Sequence, residues 1–246
     1  MNNIRDKLII ANAKVSDVYN VGESKAYNKP YIDTSKITNF HLFCEDDRIS
    51  PENLDTSNGT SFSYMFQGSK LTTIPLLNTS KGTIFYCMFN ICKKLKKIPQ
   101  IDLSKGTDFY GMFQACDVLA YLPKLETYNG TKFTYMFYNC KSLTTIEKIN
   151  ISKATNVADM FYGCTKLQNI TFDGSINRSI SFSYSSKLTT DSIQSIINAL
   201  CVYSGSSQPT LTLNSASWTA IEAITPPDGY STWKEYISNY KNWKYA

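Results

Sequence analysis

Four of the seven cysteines, Cys92, Cys116, Cys140 and Cys164, recur at a fixed 24-residue interval. Sulfur repeated at one interval could bind metal, form disulfides or simply pack. A structural zinc site needs four donors converging at about 2.3 Å. If each interval is one rung of a paired stack, the outer thiols stand about 14 Å apart, so zinc fails on geometry. Neighbouring rungs do fall within the Cα range of a disulfide. The cysteine count is odd, however, and the N-terminus, MNNIRDKLIIANAKVSDVYN, lacks the apolar run and cleavage site of a secretory leader. Reduced thiols are therefore expected, serving as small buried hydrophobes with weak S–H donors. Ser69 takes the same position in the first full unit, a replacement that packing tolerates.

Other reactive groups are sparse. His41 is the one histidine, and with no second imidazole or partnered nucleophile it reads as a surface or capping residue. Glu45-Asp46-Asp47 is the only acidic cluster, and three adjacent carboxylates read as a solvated turn rather than the opposed pair that cleaves sugars. Neither a phosphate-binding Gly-rich loop nor a calcium-loop spacing occurs. Lys93-Lys94-Leu95-Lys96-Lys97 is the one local charge anomaly. It could contact an acidic polymer, yet lysines on an exposed sheet edge also guard against edge pairing. No enzyme, cofactor or metal is expected, and nothing supports nucleic-acid readout.

The elements that would position these side chains come from a repeat. Met-Phe recurs at Met65-Phe66, Met88-Phe89, Met112-Phe113, Met136-Phe137 and Met160-Phe161, at spacings of 23, 24, 24 and 24. Three residues before each Met stands Phe62, Phe85, Phe109, Phe133 or Val157. After it come Leu71, Leu95, Leu119, Leu143 or Leu167, and then Ile74, Ile98, Leu122, Ile146 or Ile170. Polar turns such as Ser80-Lys81-Gly82-Thr83 introduce the units. About 24 residues cannot bury their own apolar side chains, so the units must stack and share one core. Leu-x-x-Ile is the expected strand, and Phe-x-x-Met-Phe the opposite wall, as a short helical or irregular turn. Degenerate units flank the array, at Asp33–Phe43 and at Ile180–Leu188, as solenoid ends require.

The segment Tyr-Met-Phe-Tyr-Asn-Cys-Lys-Ser-Leu-Thr-Thr-Ile at 135–146 resembles the BspA-type, or treponemal-type, leucine-rich repeat, and the likeness covers about 33–190. The resemblance implies an α/β repeat solenoid with strands on a concave face, used for recognition rather than catalysis. It also implies a bacterial surface protein or a phage or prophage tail component. Asp191 is read as the N-cap of a helix carrying Ile193, Ile196, Ile197 and Leu200, followed by a strand at Thr210–Asn214. That helix–strand–helix closure resembles phage-tail leucine-rich proteins of gut bacteria. The aromatic tail (Trp233, Tyr236, Tyr240, Trp243, Tyr245) departs from the family's usual ending.

Composition agrees with a binding module. The 246 residues carry 25 Lys+Arg against 20 Asp+Glu, a net +5, with 42% hydrophobic and 18% charged; this is a globular chain rather than a disordered one. No run reaches a membrane span. Three regions follow: a helix and linker at 1–32, the solenoid at 33–190, and a cap at 191–246. Within the first, Ile4, Leu8, Ala11, Val15 and Val18 keep a 4-3-4-3 spacing. That seam reads either as a coiled coil joining copies or as one amphipathic helix packed on the first repeat.

If Leu-x-x-Ile points inward, the residues beside it line the concave sheet in columns. One column is Thr73, Lys97, Tyr121, Thr145 and Asn169; the next is Pro75, Pro99, Pro123, Glu147 and Thr171. Lys97, Tyr121, Lys124, Thr145, Glu147 and Asn169 are the candidate ligand contacts, with Tyr121 as anchor. The expected partner is a bacterial surface protein or glycan, with other tail proteins as neighbours. The expected location is a phage tail, or alternatively the bacterial cell surface, with no membrane insertion.

Overall fold

The structure, a computed structural model, describes residues 34–44 and 54–246. The heptad seam Ile4, Leu8, Ala11, Val15 and Val18, the 20–32 linker and the acidic run Glu45-Asp46-Asp47 lie outside these residues. Successive repeats lie side by side in parallel, one repeat apart in sequence. A ladder of single bridges joins Asn39 to Ser61, Ser61 to Ile84, Ile84 to Asp108, Asp108 to Lys132, and Lys132 to Asn156.

On one wall the coils pair as a sheet. Strands β1 (Tyr121–Leu122), β2 (Thr145–Ile149) and β3 (Asn169–Phe172) lie in that order, parallel, with Tyr121 opposite Thr145 and Thr145 opposite Asn169. Among the described residues, earlier units contribute only the bridge between Thr73 and Lys97 to this wall. Proline explains the difference. Pro75, Pro99 and Pro123 follow the inward Ile or Leu in the first three units, and each removes the N–H that would extend the ladder. Glu147 and Thr171 stand there in the next two units, and β2 and β3 run to five and four residues.

The opposite wall is more regular than the short helical or irregular turn expected. Phe62, Tyr64, Phe66 and Gly68 donate their N–H groups to Ile84, Tyr86, Met88 and Asn90 of the next coil. Between them, Met65, Gln67 and Ser69 close local turns onto Phe62, Tyr64 and Phe66. Alternate amides therefore point along the stack and back into the coil, which satisfies both sets. The geometry needs left-handed residues immediately before each Met position: Tyr64, Cys87, Gly111, Tyr135 and Asp159, with φ of 56, 52, 56, 58 and 51°. Only one of these five is glycine, so interlocking hydrogen bonds hold the other four in a region that disfavours a Cβ.

Two columns of stacked phenylalanines fill the space between the walls. Phe40, Phe62, Phe85, Phe109 and Phe133 form one, with centroids 5.4–5.7 Å apart. Phe66, Phe89, Phe113, Phe137, Phe161 and Phe182 form the other, at 4.7–5.8 Å. These separations lie in the range favourable for aromatic pairs. All of these rings are fully buried.

The far end is closed by helix α1 (Thr190–Ala199), strand β5 (Thr210–Leu213), helix α2 (Ser215–Glu222), a short turn α3 (Trp233–Glu235) and strand β6 (Lys244–Tyr245). Thr189, not Asp191, caps α1: its hydroxyl accepts from the Ser192 N–H. Asp191 sits inside the first turn, where a carboxylate still complements the helix dipole. Strand β4 (Ile180–Phe182) pairs in parallel with β5, and β5 with β6. The aromatic tail thus adds a strand to the sheet, and its Trp233 and Trp243 are buried.

Candidate functional site

On the sheet wall the backbone register brings Tyr121, Thr145 and Asn169 into one row, with Thr73 and Lys97 paired in the earlier units. Their neighbours Ile98, Leu122, Ile146 and Ile170 point inward and are buried. Strand alternation then leaves Lys97, Tyr121 and Asn169 exposed, with Thr145 half-buried. Tyr121 keeps 58% of its surface in solvent, which is unusual for so large a ring and leaves most of it open to a partner. In the second column Thr171 donates its hydroxyl to the Glu147 carbonyl, while the Glu147 side chain is exposed. Lys124 lies past the strand and pairs with Glu126 at 3.1 Å. That carboxylate, with Tyr128 next in effect, holds the Lys124 ammonium above its ordinary pKa. Lys124 is therefore engaged along its own loop rather than standing in the row.

The cysteine column is buried and geometrically uniform. Each thiol donates to a phenylalanine carbonyl one coil earlier: Cys92 to Phe66 at 2.9 Å, Cys116 to Phe89 at 3.1 Å, Cys140 to Phe113 at 3.0 Å and Cys164 to Phe137 at 3.1 Å. Burial pushes Cys92 and Cys164 up to about 12, and Cys116 and Cys140 well above the usual thiol range. Such thiols are poor nucleophiles and poor metal ligands, because both roles need the thiolate. None of the seven cysteines is joined in a disulfide. Among the described residues no group of three or more His, Cys, Asp or Glu is placed to hold a metal ion. Nor is any helix among them long and apolar enough to cross a membrane.

The basic run is solvated, with Lys93, Lys94, Lys96 and Lys97 all exposed around buried Leu95. Sequence reasoning missed a different feature. The phenylalanines occupy the core, but the tyrosines beside them do not. His41, Tyr64, Tyr86, Tyr110, Tyr135, Tyr138, Tyr162 and Tyr184 form a continuous ribbon over the turn wall, with centroids 4.2–5.5 Å apart. The rings are half-buried or exposed. Phenols within the ribbon are hydrogen-bonded to one another, as Tyr184 is to Tyr162 at 3.1 Å. A hydrogen bond with Tyr64, then burial, raises the Tyr86 pKa, and the Tyr162 contact raises that of Tyr184. No constant repeat offset reveals this ribbon. It runs one or two residues before the Met position as far as Tyr135, then two residues after it at Tyr138 and Tyr162, and ends at Tyr184 in a coil that has no Met.

A family model described as Mycoplasma protein of unknown function, DUF285, matches residues 15–121 and, in an overlapping second match, 60–175. The chain belongs to the DUF285 family. DUF285 is a BspA-like repeat family, consistent with the coils described above. Neither the curated proteins nor the solved structures contain a match to the chain.

Proposed function

We propose that this DUF285 protein is a non-enzymatic recognition module, a short leucine-rich α/β solenoid that contacts a bacterial surface protein or glycan and is carried on a phage or prophage tail. The observation behind recognition is the row Lys97, Tyr121, Thr145, Asn169. Its backbone pairs Tyr121 with Thr145 and Thr145 with Asn169, and Lys97 is bridged to Thr73 in the earlier units. The side chains differ at every step, exposed at Lys97, Tyr121 and Asn169 and half-buried at Thr145. A rigid scaffold with variable exposed side chains is the arrangement in which few changes redirect partner choice. Tyr121, between Lys97 and Thr145, is the anchor, and Glu147 one column away adds a charge of opposite sign. The helix–strand–helix closure after the last coil, which resembles that of tail proteins, supports the placement on a tail.

Labelled full-length protein applied to whole cells of candidate hosts tests the recognition reading. Strain-selective binding is expected, and Lys97→Ala with Tyr121→Ala should abolish it while the melting temperature stays nearly unchanged. Binding that survives both substitutions would move recognition off this face. Mass spectrometry of particles induced from the encoding strain tests the tail placement, which fails if the protein is absent from them.

A further inference from the structure

The tyrosine ribbon changes column at one place, and a cleft opens there. Tyr86 and Tyr110 stack in parallel at 5° and 4.8 Å, and so do Tyr138 and Tyr162, at 8° and 4.8 Å. Between these two stacks Tyr135 stands across both, at 89° to Tyr110 and 87° to Tyr138. Its ring has no parallel partner among the described residues. A cleft of about 460 Å³ at this crossover is lined by Gln114, Tyr135, Tyr138, Asp159 and Tyr162, a size ordinary for a small-ligand site.

The polar groups of the cleft are available. Gln114 uses its side-chain oxygen to accept from the Asn90 amide at 2.9 Å, which leaves its two N–H donors for the cleft. The Asp159 carboxylate is exposed and has no hydrogen-bond or ion-pair partner among the described residues. Both Tyr135 and Asp159 occupy the left-handed position before Met, so the wall presents them one coil apart with fixed backbones. The phenols of the ribbon add groups that both donate and accept.

We infer that this crossover is a carbohydrate subsite that takes an uncharged pyranose unit of a glycan. A pyranose has an apolar C–H face, which packs on an unstacked aromatic ring, and a rim of hydroxyls that pair with a carboxylate, an amide and phenols. The cleft supplies each of these. A quaternary ammonium fits less well: a cation cage needs several ring faces turned on one point, and here Tyr138 and Tyr162 cover each other. An anionic sugar is disfavoured by Asp159. The subsite lies on the turn wall, away from the Lys97–Tyr121 row, so it is independent of the sheet-face reading.

Saturation-transfer NMR and calorimetry on the full chain test it, with chitotetraose, cellotetraose and maltotetraose as probes and tetramethylammonium as competitor. At least one tetrasaccharide should receive saturation from the tyrosine rings. Tyr135→Ala and Asp159→Asn should each weaken binding about tenfold or more, whereas Tyr135→Phe should weaken it less than Tyr135→Ala. Placed in a Lys97→Ala, Tyr121→Ala background, Tyr135→Ala should still weaken whatever tetrasaccharide binding remains, which separates this subsite from the sheet face. Circular dichroism checks that each variant is folded. The inference is overturned if none of the three probes binds, if folded Tyr135→Ala and Asp159→Asn variants bind normally, or if tetramethylammonium displaces the sugar.

Discussion

Glycine and phenylalanine three residues apart are coupled through the core, and the coupling can be measured. Gly130 lies over the Phe133 ring: a Cβ added there would sit 2.2 Å from Phe133 Cζ and 2.9 Å from Phe109 Cε2. Carbon atoms need about 3.5 Å or more, so the ring tip would have to retreat by more than about 1 Å. It cannot do so freely, because Phe133 is fully buried and stacked on Phe109 at 5.4 Å. Gly130 is not in a left-handed conformation, so alanine would gain about 0.4–1 kcal/mol from reduced chain entropy. Overpacking costs about 1–3 kcal/mol, toward the upper end here since two rings are struck. Gly130→Ala should therefore destabilise by about 1.5–2.5 kcal/mol. Phe133→Val leaves a cavity and should cost about 2–3 kcal/mol, below the range for Phe→Ala. The pair together should cost at least about 1 kcal/mol less than the sum, because the new methyl enters the space the ring vacates. The fifth unit already carries this combination, as Ala154 with Val157, both buried. Urea denaturation of the four proteins completes the cycle. Additivity within about 0.5 kcal/mol would refute the steric coupling.

Alkaline pH should unfold the protein steeply. Burial raises the folded pKa of all four column thiols above the unfolded value of about 9, so their contribution is complete below pH 9 and declines as pH rises above it, being lost through about 12 for Cys92 and Cys164. Each thiol contributes at most about 1.4 kcal/mol per pH unit in that window. Denaturation midpoints at pH 7.5, 9.5 and 10.5 check this, and Cys116→Ser with Cys140→Ser should visibly flatten the decline. At the cap, buried Lys241 donates to the carbonyls of Asn198, at 3.2 Å, and Leu200, at 2.7 Å, closing the end of α1. Lys241→Met should cost about 2–4 kcal/mol by leaving those carbonyls unpaired, and a midpoint equal to wild type would disprove the capping role. Burial lowers the Lys241 pKa, so its own contribution opposes the thiols: charging the folded state is unfavourable at neutral pH and is relieved as pH rises toward 10.5. The difference between wild type and Lys241→Met in the same pH series isolates it.

Equivalence between coils was legible in the sequence. Met65, Met88, Met112, Met136 and Met160 mark it, and the apolar side chains that share their register form the core, because a 24-residue unit has no other way to bury them. The same register places Tyr121, Thr145 and Asn169 in one row, and the thiols in a column where size rather than reactivity matters. The Gly–Phe and Ala–Val pairs were present in the sequence too, but their meaning was not, since the contact is one of ring against Cα. Strand length was open as well: it depends on whether Pro123 or Glu147 follows the inward residue and on the neighbouring coil being there to pair. Least legible was the tyrosine ribbon. Whether a half-exposed ring at one offset meets a ring at another depends on left-handed residues such as Tyr64 and Tyr135, and those conformations are held by hydrogen bonds to the next coil, from Tyr64 to Tyr86 and from Tyr135 to Ala158. A local pattern cannot carry that information, because it exists only once the coils are stacked.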